Sequence, residues 1–230
     1  MKTDIIDAVP AAFLTLGAGE YVHDSPTLRG EMYAGPPETL EARTAVGALS
    51  KLVHAADRAK DSSGRALSWR NYNVGASAVM FNFELGQFGL FDGFNVKPET
   101  GTSSLNLHAE QVAIAKGRSR GLNKVIGISV YADPFDDDAN PNMHATLPPC
   151  SRCVQMFADI PEVSPNTLVL GSNLDLSVCE LYTIASLTDP AIPKLVDEPF
   201  SLQTEDDLEH YDRVIRPAIF FTVMNLYTAS

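Results

Sequence analysis

Two short runs carry residue types that could do chemistry together: His108-Ala109-Glu110 and, further along, Pro149-Cys150-Ser151-Arg152-Cys153. Taken alone, a C-x-x-C pair reads as a metal site, a redox couple or two buried thiols. The histidine upstream changes the balance. Zinc takes nitrogen and sulfur ligands in a tetrahedron, and a catalytic site supplies three of them from protein and keeps the fourth position open. His108, Cys150 and Cys153 make such a set. Two cysteines three apart at a helix start project to one side, where exposed N–H groups and the positive end of the helix dipole favour the thiolates that bind metal. Glu110, two residues after His108, can stand beside a metal without ligating it. Metal brings bound water close to ionisation at neutral pH, so a carboxylate there can take a proton from water and hand it on.

Those residues need elements to hold them. Residues 38–60 place Leu40, Val46, Leu49, Val53 and Ala56 at helical spacing. Residues 72–83 read as a buried strand, residues 84–87 as a turn, and residues 88–95 as a second strand, together a hairpin. Residues 107–118 carry Val112, Ile114 and Ala115 in the pattern of a helix packed on a sheet, and residues 125–132 are an apolar run of strand length. After a loop rich in Asp, Asn and Pro (133–149), residues 150–160 give a short helix. Residues 167–171 form a strand, and 174–182 a further strand candidate. Strand, strand, helix, strand, helix, strand makes an α/β sandwich. Beyond Pro190 lie an acidic helix candidate (204–214) and an apolar strand candidate (219–226). The chain divides into an N-terminal extension (1–36), a catalytic domain (37–190) and a C-terminal extension packed on it (191–230).

H-x-E followed by P-C-x-x-C is the signature of zinc-dependent nucleobase deaminases. Tyr72-Asn73-Val74-Gly75-Ala76, Gly93-Phe94-Asn95-Val96, His108-Ala109-Glu110-Gln111 and Pro149-Cys150 through Cys153-Val154-Gln155 stand in the order found in the cytidine deaminase family, which the chain resembles over roughly residues 40–190. That resemblance implies a three-layer α/β/α sandwich with a mixed five-stranded sheet, and Zn²⁺ held by His108, Cys150 and Cys153 between two helix N-termini. It implies hydrolytic deamination of a cytosine nucleoside, with Glu110 as the proton shuttle. It places Tyr72 beside the base pocket, Asn95 at the ribose and Ala109 among the substrate contacts. It also implies a homo-oligomer, dimer or tetramer, since family members complete their sites with neighbouring chains. The helix after the cysteines departs from many members, which use three cysteines and a following arginine. Here His108 is the first ligand and Val154 takes the arginine's place. With two thiolates the zinc site is already near neutral, so ligand set and surroundings agree.

A second departure bears on the substrate. Where the family's G-x-N-x-E pattern has its glutamate, this chain has Lys97, followed by Pro98 and Glu99. A site that hydrogen-bonds a hydroxyl can discriminate by about 10⁴-fold against its loss. Lys97 suits a phosphate or a carboxylate, so a nucleotide, a modified nucleoside or another amino-heterocycle is the alternative substrate. A non-catalytic binding or assembly protein is the third reading.

Composition limits the rest. The 45% hydrophobic content is that of a globular core, and no run of about 18 apolar residues offers a membrane span. Seventeen basic against 29 acidic residues give a formal charge of −12, which opposes binding to nucleic acid and favours a small-molecule partner. Three cysteines cannot all pair, consistent with a reducing cytoplasm, and residues 5–19 lack the charge pattern of an export signal. Without the family, Tyr72 reads as core and Asn95 as a turn residue. Cys179 reads as a buried apolar thiol, Trp69 as a hydrophobic plug, and His144 and Asp136-Asp137-Asp138 as parts of a solvated loop.

Overall fold

The computed structural model describes residues 73–97 (except 83, 85 and 86), 106–132 and 148–215 (except 174), with the short pieces 21–24, 59–61, 64, 67–68 and 146. The sheet is mixed and six-stranded, in the order β1-β4-β3-β6-β7-β8. Its strands are β1 (Tyr21–Asp24), β3 (Val74–Asn82), β4 (Gln87–Phe94), β6 (Lys124–Ala132), β7 (Val163–Ser172) and β8 (Cys179–Thr183). All neighbours pair antiparallel except β6 and β7. A separate parallel pair joins β2 (Leu67–Ser68) to β5 (Val96–Lys97). The helices are α1 (Ala109–Ser119), α2 (Ser151–Asp159), α3 (Ile184–Thr188) and α4 (Glu205–His210), the last running into a π-helical turn, Tyr211–Ile215.

The five expected strands form, the last as Cys179–Thr183 rather than over 174–182, because residues 175–178 make a turn and bends. The sixth, β1, extends the edge beside β4, with Tyr21 opposite Leu90; its four residues carry no alternation that would announce it. β7 starts at Val163 rather than 167 because Val163, Ser164 and Asn166 are only half-buried and Pro165 is exposed, so no apolar pattern marks that end. The expected helix over residues 38–60 lies outside the described residues except at its end, as do Trp69, Tyr72, Asp136-Asp137-Asp138, His144 and the strand candidate 219–226.

Both faces of the sheet are closed. On one, Ala78 and Met80 of β3, Phe91 of β4, Ile128 and Val130 of β6, and Val169 of β7 pack with Ala113 and Ile114 of α1, Cys153 and Phe157 of α2, and Ile184 of α3. On the other, the alternate positions Val79, Phe81, Leu90, Leu168, Leu170 and Leu181 are no more than 2% exposed. Strands buried on both sides read as continuous apolar runs, which is how β3 and β6 appear in the sequence. Each large side chain in this core contributes about 1.5–3 kcal/mol. Past residue 190, Phe200 pairs with Cys179 through two backbone bonds of 2.7 and 3.0 Å. Its ring stacks on Tyr211 at 5.4 Å.

Two details position the site. Gly93 on β4 lies directly under α1: a Cβ there would collide with Ala109 O and lie 2.6 Å from Ala113 N, so only glycine allows the helix this close. The parallel step from β6 to β7 needs a crossover, and α2 supplies it. Both helices thereby begin at the end of the sheet where β6 finishes in Ala132. No helix among the described residues is long and apolar enough to cross a membrane.

Candidate metal centre

His108 and Cys150 occupy equivalent places, each the extended N-cap residue of its helix. Their carbonyls accept the first intrahelical bonds, from Val112 N–H at 3.2 Å and Val154 N–H at 3.0 Å. The Gln111 side chain turns back to accept from His108 N–H at 3.0 Å, so the residue after H-A-E fixes the backbone of the histidine. Cys153, one turn into α2, is 1% exposed and packed into the core. Cys150 is exposed.

The three ligand atoms of His108, Cys150 and Cys153 lie within 4.8 Å of one another. His108 Nδ1 is 3.2 Å from Cys153 Sγ and 3.5 Å from Cys150 Sγ. Two sulfurs thus converge on one imidazole nitrogen, which has a single lone pair or a single proton to offer. Zinc–sulfur bonds of about 2.3 Å and zinc–nitrogen bonds of about 2.0 Å at tetrahedral angles put N and S about 3.5 Å apart, the separation found for Cys150 and 0.3 Å more than that for Cys153. The donor set therefore fits zinc in both chemistry and spacing.

The thiols are electrostatically unequal. Cys150 is held down to about 3, first by a hydrogen bond from Cys153, then by one from His108, against a smaller opposing effect of burial. Cys153 is pushed far up, by that same bond and then by burial. One thiolate thus stands ready at the surface and is stabilised by the buried thiol. Cys179, 0% exposed, is raised to about 12, chiefly by burial, as its reading as a structural thiol requires.

Glu110 sits in the first turn of α1 and is 3% exposed. Burial raises its carboxyl above the ordinary range; the backbone N–H at the helix start opposes this, and the negative charge of Cys150 adds to it. A buried carboxyl with a raised pKa exchanges protons near neutrality more readily than a surface one.

Glu110, His108 and Cys150 open into one small cleft. Its apolar wall is Val74, Val130, Ala132 and Pro148, and its polar side includes Asn95 and Lys97. Ala109, 0% exposed, lies between the histidine and the glutamate. Asn95 also ties two strands together: its side-chain oxygen accepts from Val74 N–H at 3.0 Å, and its own N–H donates to Val74 O at 3.1 Å. Of the residues singled out in the sequence, His108, Ala109, Glu110, Cys150, Asn95 and Lys97 meet at this cleft and Cys153 lies behind it; Tyr72 is outside the described residues. The four apolar wall residues had no mark of their own, since three belong to strand runs that look like core. Pro148 stands just outside the Pro149-Cys150 through Cys153 run and carries no chemistry of its own to single it out.

The chain matches no protein-family model and no curated protein. Its fold is similar to solved cytidine deaminases. The enzyme from Burkholderia pseudomallei aligns at 19% identity over 58% of this chain and 93% of its own, with a TM-score of 0.45. That from Mycobacterium leprae aligns at 19% identity over the same shares, with a TM-score of 0.41. That from Mycobacterium tuberculosis aligns at 19% identity over 51% of this chain and 80% of its own, with a TM-score of 0.37.

Proposed function

We propose that the protein is a zinc-dependent aminohydrolase that converts a cytosine nucleoside, cytidine, deoxycytidine or a close derivative, to the uracil analogue and ammonia. One observation carries this reading: His108 and Cys150 of a clustered His/Cys/Cys set, and the buried carboxyl of Glu110, open into the same small cleft. His108, Cys150 and Cys153 would hold the metal, which when bound supplies Lewis acidity that brings water toward ionisation at neutral pH. Glu110 takes a proton from the attacking water as its oxygen adds to C4 of the base, and passes that proton to ring N3. It then carries the second proton of the new hydroxyl to the amino group, the C4–N bond breaks, and ammonia leaves. Water and cytosine ring become uracil ring and ammonia, so atoms balance. Val74, Val130, Ala132 and Pro148 give the base an apolar slot, and Asn95 and Lys97 border its polar end.

Glu110→Ala is the direct test. The variant should retain zinc and lose ammonia release by at least about 10³-fold, because the shuttle is removed and the ligands are not. Near-native turnover would overturn the mechanism. Zinc-loaded wild-type protein that releases no ammonia from any cytosine compound would favour a deaminase-fold binding protein. Lys97 on the cleft wall favours a second reading, in which the substrate bears a phosphate or carboxylate; turnover of cytidine, deoxycytidine and their monophosphates in competition separates the two. A homo-oligomer in the cytoplasm belongs to the same proposal, and light scattering on the purified chain gives its subunit number.

A further inference from the structure

The metal ligands are secured unequally. Cys153 is packed into the core, whereas Cys150 is exposed. Its place depends on how the chain arrives. Thr146, four residues earlier and 6% exposed, donates its hydroxyl to Glu180 of β8. The same carboxylate accepts from Tyr182 OH at 2.8 Å and pairs with Lys194 Nζ. Lys194 also lies over the Tyr182 ring, 5.1 Å from its centre. Beside it, Leu195 N–H donates to Leu181 O at 3.2 Å, which seats the segment after α3 along β8. Burial pushes the Glu180 carboxyl up, but hydrogen bonds from Lys194, Thr146 and Tyr182 hold it below the ordinary range. Between Thr146 and Cys150 only three residues intervene, and two of them, Pro148 and Pro149, have their φ fixed by the ring, which limits the conformations that can connect the anchor to the cysteine.

We infer that Glu180 is a positioning residue for the metal centre: through Thr146 and the Pro148-Pro149 spacer it sets where Cys150 meets His108 and Cys153, and Lys194 locks Glu180 in that role. The inference deepens the proposed function and rests on its metal site. It joins a β8 carboxylate, a loop hydroxyl and a lysine beyond residue 190 to a ligand that none of them touches. Pro148, a wall of the cleft, moves with the same anchor.

The test uses cobalt(II) bound to the full chain as a spectroscopic probe, with zinc retention against a chelator and the alkylation rate of Cys150 in metal-free protein as further readouts. Glu180→Ala and the milder Thr146→Val should each weaken zinc retention by about 10-fold, the lower end of what supporting groups around ligands contribute. Both should shift the thiolate-to-cobalt charge-transfer band and change the Cys150 alkylation rate. Glu180→Gln, which can still accept from Thr146, should restore most of the retention. Thr183→Ala removes the cap of α3, where Thr183 Oγ1 accepts from Ser186 N–H at 3.1 Å, so it perturbs the end of the same strand without touching the loop and should leave the cobalt spectrum unchanged. If Thr146→Val and Glu180→Gln fold with the wild-type spectrum and retention while Glu180→Ala does not, or if Thr183→Ala moves the spectrum as far, Glu180 is merely structural and the inference fails. Wild-type protein that binds neither zinc nor cobalt overturns the metal reading itself, a different result from wild-type binding with unchanged variants.

Discussion

Cysteine reactivity is where the site is most exposed to a direct check. With Cys150 held to about 3 by Cys153 and His108, its thiolate is present at every pH above that value. Metal-free protein should therefore alkylate at Cys150 at a rate nearly flat from about pH 5 to about pH 8, where an ordinary thiol of pKa about 8.5 gains close to tenfold per unit. Cys179, raised to about 12 and fully buried, should stay unmodified in the native protein, and zinc should protect Cys150. Peptide mapping by mass spectrometry reads all three, and an alkylation rate at Cys150 that climbs tenfold per pH unit would contradict the assigned hydrogen bonds. A different residue-scale prediction concerns Ser77 and Ser129, opposite each other on β3 and β6 and both 0% exposed. Neither hydroxyl has a hydrogen-bond partner among the described residues. A buried hydroxyl without a partner costs about 1–3 kcal/mol, so Ser77→Ala should stabilise the fold by about 1 kcal/mol in denaturant unfolding, with zinc binding unchanged.

At the level of elements, the site depends on how closely α1 lies on β4. Gly93→Ala sets a methyl against Ala109 O and Ala113 N, backbone atoms that cannot rotate away. The helix must lift, and His108 and Glu110 lift with its first turn. Overpacking of this kind costs about 1–3 kcal/mol, and the metal centre should suffer more than the fold, with zinc retention falling before the unfolding midpoint does. Gly117→Ala offers the contrast. Its Cβ would meet the end of the Met80 side chain and the Phe91 ring, side chains that can shift where backbone cannot, so it should cost core packing but leave the first turn of α1 in place and zinc retention unchanged. Much of this level was legible in advance: hydrophobic runs located β3, β4 and β6 to within two residues because those strands are buried along most of their length, and helical spacing placed α1 as closely, although only five of its eleven residues are buried and Ala115, expected on its packed face, is exposed. The grouping of His108, Cys150 and Cys153, with Glu110 at the same cleft, was legible because the proposed chemistry restricts residue type at fixed spacing. The Gly93 contact was not, since a glycine in a strand has several uses and only the neighbouring helix reveals which. Nor was the Thr146–Glu180 bond, which joins residues 34 apart in sequence through side chains that look like ordinary surface groups.

The molecule as a whole carries −12, and that field acts on any charged substrate before the cleft does. A neutral nucleoside feels none of it, so its kcat/KM should hardly change with ionic strength. A cytidine monophosphate approaches a like-charged protein, and salt, which shortens the Debye length from about 30 Å at 0.01 M to about 8 Å at 0.15 M, weakens that repulsion. Its kcat/KM should rise with added salt. Lys97 on the cleft wall acts in the opposite sense but over a few ångströms, where screening is weak, so it governs the bound state more than the encounter. The two influences therefore separate experimentally. Salt should move the monophosphate's kcat/KM upward in both wild type and Lys97→Ala, while the substitution alone should raise the monophosphate KM relative to that of the nucleoside. If salt instead lowers kcat/KM for the monophosphate, and Lys97→Ala removes that dependence, attraction at the cleft outweighs the acidic body of the protein, and the reading with a phosphorylated substrate replaces the one with a free nucleoside.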